Sequence, residues 1–135
     1  MVLHLVPHFR LLTLGAPLLV PATNEAVRYR TRKHFALLIR LALEPGRKFA
    51  RDYLIDLLWP DVPTERGRHS LSQAITVLRQ TLGRPAVQAH RTTVALNEGV
   101  VEVDALQLET CGAEIRGPFL EGFELRGARG FDEWR

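Results

Sequence analysis

The 135-residue sequence contains a single cysteine, Cys111, which excludes an internal disulfide and a metal site built from several thiolates. It also lacks long hydrophobic runs, and no apolar stretch approaches the roughly 20 residues that a helix needs to cross a bilayer. The uncharged run Leu11–Ala22 is interrupted by Gly15 and Pro17, which argues against a signal-peptide core. We therefore expect a cytoplasmic protein with no membrane partner.

Catalytic motifs are missing as well. The chain has no Gly-rich phosphate loop, no H-E-x-x-H and no G-x-S-x-G. The carboxylates Glu102, Asp104 and Glu109 have no partner acid or base nearby in the sequence. The sequence thus predicts a protein that is not an enzyme and that needs no cofactor and no metal.

Charge is distributed unevenly along the chain. Residues 1–99 carry 14 Lys or Arg and 7 Asp or Glu, whereas residues 100–135 carry 4 and 8. The chain therefore has a basic body, at +7, and an acidic tail, at −4. A basic body suits a polyanionic partner such as nucleic acid, and it equally suits a merely solvated basic surface.

The N-terminal part shows short strand-like segments. From Phe9 to Arg30, "FRLLTLG", "PLLV" and "VRYR" are separated by a Gly-Ala-Pro turn and a polar loop. Each segment is too short for a helix, and turn-forming residues lie between them. This pattern predicts a small antiparallel meander.

Helical spacing takes over in the middle of the chain. Apolar residues recur every three or four positions from about Arg32 to Leu43, where Pro45 and Gly46 stop the helix. A connecting strand, "KFA", and a short second helix, "RDYLIDLLWP", follow. A polar loop, "DVPTERGR", then leads to a third helix, "RGRHSLSQAITVLRQTLG".

The third helix has an unusual outer face. Its buried side is predicted to consist of Leu71, Ala74, Ile75, Leu78 and Leu82. On the opposite side lie His69, Gln73, Thr76 and Gln80. Solvated faces usually carry Glu and Lys, so this uncharged stripe, which we call the polar face, needs a functional reason.

The segment after the third helix predicts a β-hairpin over Ala86–Glu98, with a basic turn at Arg91-Thr92. The predicted order is a meander, two helices, a loop, a third helix and a hairpin. This order is typical of an α+β winged helix-turn-helix, with an N-terminal antiparallel sheet, three helices and a C-terminal hairpin wing. Amides and hydroxyls on the polar face suit this fold, because Gln pairs bidentately with adenine and Thr meets base edges or thymine methyls.

Three segments of the chain resemble those of a known family. The segments "LALEPGR", "RDYLIDLLWPD" and "SLSQAITVLRQTLG", in this order and spacing, closely resemble the OmpR/PhoB-type winged-helix domain at the front of SARP-type bacterial transcriptional activators. The match runs from about Phe9 to Glu109. It implies a four-stranded N-terminal sheet, three helices and a wing, with the third helix in the major groove of DNA.

The resemblance also implies a set of DNA-contacting residues. They come from the second helix, the third helix and the wing, and they are Trp59, Arg68, His69, Ser70, Ser72, Gln73, Thr76, Arg79, Gln80, Arg91, Thr92 and Thr93. Trp59 suits a hydrophobic lid on the helix pair equally well. Val77, Gln80 and Ser72 stand where the family often carries charged residues, so we expect fewer phosphate contacts and a modest affinity.

The expected partners follow from the same resemblance. They are duplex DNA, head-to-tail copies of the chain on direct repeats, and RNA polymerase, which the "DVPTERG" segment would contact. We expect a DNA-binding domain over residues 1–110. The tail at residues 111–135 resembles the start of a helical activation domain, and we expect the chain to be part of a longer regulator rather than a shortened member.

The predicted function is therefore sequence-specific duplex DNA binding and transcriptional regulation, by activation. The alternative is a winged-helix module that binds proteins without sequence-specific DNA binding, which the thin basic lining of the third helix leaves open.

Overall fold

The computed structural model describes residues 9–21, 32–103, 120, 123 and 128–134, and these fall into two compact units. The described elements, in chain order, are β1 (Phe9–Leu12), β2 (Leu18–Pro21), α1 (Arg32–Ala42), β3 (Phe49–Ala50), α2 (Arg51–Leu58), α3 (Thr64–Leu82), β4 (Val87–Ala89), β5 (Thr93–Leu96), β6 (Val101–Val103) and α4 (Arg129–Trp134). A 3-10 turn, Arg84–Ala86, joins α3 to β4. None of the described helices is long and apolar enough to span a membrane.

The first unit contains a three-stranded sheet in the order β2-β1-β6. Strands β1 and β2 pair antiparallel, with Leu12 opposite Leu18, as the meander predicted. Strand β6 pairs with β1 in parallel, so the sheet is mixed, and the sequence did not predict this strand because "VEV" is too short to show alternation. The strand predicted at "VRYR" lies outside the described residues.

The second unit contains the three predicted helices and the wing. Helix α1 ends one residue before the predicted boundary, and Gly46, with φ of 82°, adopts a backbone conformation that favours glycine. The Gly46 N–H donates to the carbonyl of Leu96 at 2.8 Å. This bond ties the turn after α1 to the wing strand β5.

Helix α3 begins earlier than predicted. The polar loop expected over "DVPTERGR" is only partly a loop, because residues from Thr64 onwards are helical and only Trp59–Pro63 connect α2 to α3. Gly67 lies buried within the helix, and its N–H donates to the Pro63 carbonyl at 2.9 Å. Glycine is used here for close packing between helices.

The core of the second unit is formed by the inner faces of the helices. Leu71, Ile75 and Leu78 of α3 are buried, as predicted. The largest fully buried side chains that accompany α3 from the other elements of this unit are Leu37, Leu38, Ile39, Leu41, Phe49, Leu54, Leu58 and Phe131. Because the apolar side chains of α3 pack against this core, the polar face of α3 points away from it.

The wing is a three-stranded antiparallel sheet in the order β3-β5-β4. Ala89 pairs with Val94, and Phe49 of β3 pairs with Val94 from the other side. At the base of the hairpin, the Asn97 N–H donates to Ala86 and its side-chain amide donates to Pro85. The predicted hairpin is thus confirmed, and "KFA" forms its third strand.

A buried arginine joins α1, α2 and α4. The Arg40 side chain is 6% exposed, its Nη1 lies 2.8 Å from Oε2 of Glu44, and its Nε donates to the Tyr53 hydroxyl at 3.0 Å. The guanidinium lies 4.6 Å from the ring centre of Phe49 and 4.7 Å from that of Trp134. Aromatic faces and a carboxylate together stabilise a cation that burial alone would disfavour.

Candidate nucleic-acid interface

The polar face of α3 is exposed along its whole length. His69, Gln73, Thr76 and Gln80 are all solvent-accessible, so the side chains predicted to meet base edges are free of the core. No salt bridge involves any of these four residues within the described parts of the chain. Among the described residues the side chains of His69, Gln73 and Gln80 make no hydrogen bond either, so their donors and acceptors are available to a partner.

Thr76 has a defined orientation on this face. Its Oγ1 donates to the backbone carbonyl of Ser72 at 3.0 Å, one helical turn earlier. The hydroxyl proton is thus used inside the helix, while the oxygen lone pairs and the methyl group remain available. Thr76 can offer an acceptor to a base edge or apolar contact to a thymine methyl.

Arg79 connects α3 to the wing. Its Nε and Nη2 donate to the carbonyl of Val87, the first residue of β4, at 3.3 and 3.1 Å. The resemblance predicted a DNA contact for Arg79, and that contact stays a prediction. In the structure this guanidinium holds the base of the wing against the helix.

Trp59 and Ser70 are less accessible than the other predicted contact residues. Trp59 is 8% exposed, which matches the hydrophobic lid more closely than an open phosphate donor. Ser70 is half-buried, and its position along α3 places it about 180° around the helix axis from Arg79. Contacts of either residue with DNA remain predictions.

The tip of the wing presents Arg91 and Thr92 to solvent, while Thr93 is half-buried at the start of β5 and pairs with Ala50. Arg91 forms no salt bridge with any described residue. A guanidinium in this position can enter a narrow minor groove, where the negative potential is enhanced.

A cleft of about 590 Å³ lies between the wing tip, the start of α2 and the flank of α3. Three arginines line it: Arg51 from α2, Arg68 from α3 and Arg91 from the wing. Ser72 and Thr92 add hydroxyl groups to the same walls. The structure thus brings together Arg68, Ser72, Arg91 and Thr92, which the sequence predicted on separate elements.

Arg51 was not among the predicted site residues. Because it begins a helix with a strongly apolar inner face, the helical pattern gave no sign that it would approach the wing. Its one signal was its place directly after β3, the strand that pairs with β5. In the structure its Nε donates to the His90 carbonyl at 2.7 Å.

One carboxylate also lines the cleft. Asp52 is exposed in the first turn of α2, where a negative charge stabilises the helix terminus. Neither it nor Arg68 forms a salt bridge among the described residues. The cleft therefore carries three unneutralised cations and one anion, which gives it a positive balance.

Two titratable groups of α1, Lys33 and His34, have perturbed pKa values, and neither lines the cleft. Burial lowers the pKa of Lys33, partly offset by Asp61, and burial also lowers the pKa of the half-buried His34. Within the described ranges no group of three His, Cys, Asp or Glu residues could hold a metal ion. The arrangement is thus suited to binding a polyanion through arginines, hydroxyls and amides.

Comparison with known proteins agrees with this geometry. The fold is similar to that of Mycobacterium tuberculosis EmbR, solved in complex with a low affinity phosphopeptide, with a TM-score of 0.72 and 21% sequence identity. The match covers 94% of this chain and 40% of the EmbR chain, so the chain spans less than half of that protein. No curated protein matches the sequence.

The sequence profile described as "Transcriptional regulatory protein, C terminal" matches residues 25–95, more than half of the chain. The predicted α+β winged helix-turn-helix fold and the OmpR/PhoB-type resemblance are thereby confirmed. The chain belongs to this family of transcriptional regulators and contains its DNA-binding domain.

Proposed function

We propose that the chain binds duplex DNA in a sequence-specific manner and activates transcription, with α3 in the major groove and the wing in the adjacent minor groove. The arginine-lined cleft between α3 and the wing is the observation that carries this proposal. A helix in one groove and a hairpin in the next are separated by one sugar-phosphate strand, which must pass between them. The cleft offers that strand three guanidinium groups.

Specificity is assigned to the polar face. Gln73 is exposed and its amide can pair bidentately with adenine, while Thr76 offers an acceptor and a methyl group. His69 and Gln80 extend the same stripe along the helix axis. Because these groups are uncharged, they add little to binding of random sequence, and the arginines supply that part of the affinity.

The mode of assembly follows the family resemblance. We propose two copies bound head-to-tail on direct repeats, with half-sites about one helical turn apart, because one α3 and one wing cover only a short stretch of DNA. The α2–α3 connection and the first turn of α3 expose Asp61 and Glu65, and we propose this segment as the contact with RNA polymerase. The chain acts in the cytoplasm, by binding rather than catalysis.

Fluorescence anisotropy with two labelled duplexes tests the proposal. One duplex carries a site selected from a random library and the other is of random sequence, and each is titrated with the full chain from low to physiological salt. We expect log K to fall with log salt by about 0.9 per neutralised phosphate, hence by about 2 if Arg68 and Arg91 contact phosphates and by about 3 if Arg51 does so as well. The selected site should bind more tightly at every salt concentration.

Two results would contradict the proposal. A chain that binds neither duplex at low salt would favour the alternative of a protein-binding winged helix. Equal affinity for both duplexes would leave a DNA-binding domain without sequence specificity. Footprinting on the selected site separately tests the assembly, since two protected repeats in one orientation are expected and a single palindrome would exclude the head-to-tail arrangement.

A further inference from the structure

One residue, Arg51, makes two hydrogen bonds to the tip of the wing. Its side-chain Nε donates to the carbonyl of His90 at 2.7 Å, and its backbone N–H donates to the carbonyl of Thr92 at 2.9 Å. Arg91 lies between these two acceptors in the chain. The backbone on both sides of Arg91 is therefore attached to the first residue of α2.

The tip of the wing, His90 to Thr93, lacks one of the two backbone hydrogen bonds that close a tight hairpin turn. The His90 N–H donates to the Thr93 carbonyl at 2.8 Å, but the His90 carbonyl, which would accept from Thr93 in a tight turn, accepts from Arg51 instead. Two-residue hairpin loops that match the strand twist have a positive φ at their first residue, and neither Arg91 nor Thr92 has one. The Arg51 side chain thus supplies the bond that this loop lacks.

We infer that Arg51 is the positioning residue of the wing: its Nε fixes the loop so that Arg91 faces the DNA backbone across the cleft. This inference rests on the proposed DNA binding at α3 and the wing. The rival role for Arg51 is an independent phosphate contact through its charge, since it also lines the cleft. The two roles need different atoms of the guanidinium group, so they can be separated.

Two substitutions divide these roles. In Arg51→Gln the amide Nε2 occupies the position of the arginine Nε, so a donor to His90 is kept while the charge is lost. In Arg51→Lys the charge is kept, but a methylene replaces the donor at that position. Arg84 is exposed in the 3-10 turn and lines no part of the cleft, so Arg84→Lys and Arg84→Gln serve as matched controls.

The first measurement needs no DNA. Backbone ¹⁵N relaxation measures the order parameters of Arg91 and Thr92. These are about 0.85 for a rigid backbone and fall below about 0.6 in flexible segments. We expect Arg51→Lys to lower the order parameters at the tip, and Arg51→Gln and both Arg84 variants to leave them unchanged. Unchanged order in Arg51→Lys, or equal loss in Arg51→Gln, overturns the inference, whether or not the chain binds DNA.

The second measurement couples Arg51 to Arg91 in duplex binding. In the wild-type and Arg51→Gln backgrounds, Arg91→Ala should weaken binding by the same factor. In the Arg51→Lys background, the loss of affinity caused by Arg91→Ala should be about fivefold smaller than in wild type, because Arg91 is no longer held in place. A change of about fivefold corresponds to the contribution of one hydrogen bond. Equal factors in all three backgrounds would make Arg51 an independent phosphate contact and overturn the inference.

Discussion

Gly67 of α3 lies so close to Ile55 of α2 that a Cβ atom added to the glycine would stand 2.6 Å from the Ile55 Cγ2 methyl. The glycine therefore sets the approach of the two helices of the helix-turn-helix. Ile55 is β-branched and held by its own helix, so this methyl cannot move aside easily.

Gly67→Ala should consequently destabilise the fold, although alanine is the better helix former. Overpacking typically costs about 1–3 kcal/mol and the gain in helix propensity is about 1 kcal/mol, so we expect a net loss of up to about 2 kcal/mol. Urea unfolding of both proteins measures the difference. In an Ile55→Ala background the clash is absent and Gly67→Ala should become neutral or stabilising; a persistent loss there would contradict the packing account.

Glu44 should make stability depend on acid pH. Hydrogen bonds from Arg40 and Arg47 hold the pKa of this carboxyl below its usual value. Because the folded-state pKa is the lower one, the stabilisation is present above the ordinary glutamate pKa, about 4.3, and is lost as pH falls through the lowered value.

As the pH falls below about 4.3, the free energy of unfolding should therefore decrease less in Glu44→Gln than in wild type. Urea unfolding at a series of pH values measures this difference. Glu65→Gln is the control, since Glu65 is exposed and forms no salt bridge among the described residues. Acid profiles that are parallel for wild type and Glu44→Gln would show that the Arg40 and Arg47 contacts contribute nothing to folding.

The helices and hairpin were predictable because each has a strong local period: the buried leucines of α3 recur at helical spacing, and Arg91-Thr92 separates two alternating segments. Strand β6 and the hydrogen bonds of Arg51 and Arg79 were not predictable, because they depend on pairings between distant residues that leave no period. The start of α3 was predicted two residues too late, at Arg66 instead of Thr64, because the polar segment "DVPTERGR" was interpreted as a loop.

Arg91 should contribute affinity without sequence preference. Arg91→Ala removes one exposed cation from the wing tip, so binding to selected and random duplexes should weaken alike and the salt slope should shrink by about one unit. Arg84→Ala, an exposed arginine outside the cleft, is the control. A slope that is unchanged in Arg91→Ala would place the wing tip away from the phosphates.

Asp52 should oppose DNA binding, because its carboxylate lines a cleft assigned to phosphates. Asp52→Asn is expected to raise affinity for both duplexes by about twofold to fivefold, the size of an exposed charge interaction. Asp56→Asn, on the same helix but outside the cleft, should change affinity less. If Asp52→Asn weakens binding, the backbone does not pass through this cleft.

The central claim is that the polar face of α3 determines sequence preference, and the ratio of affinities for selected and random duplexes in Gln73→Ala tests it most directly. Gln73 is exposed and uncharged, so its removal should weaken binding to the selected site by about 1–3 kcal/mol and leave random-duplex binding and the salt slope nearly unchanged. The preference should relax at one or two base pairs of the site. Equal losses on both duplexes, or no loss on either, would contradict the claim.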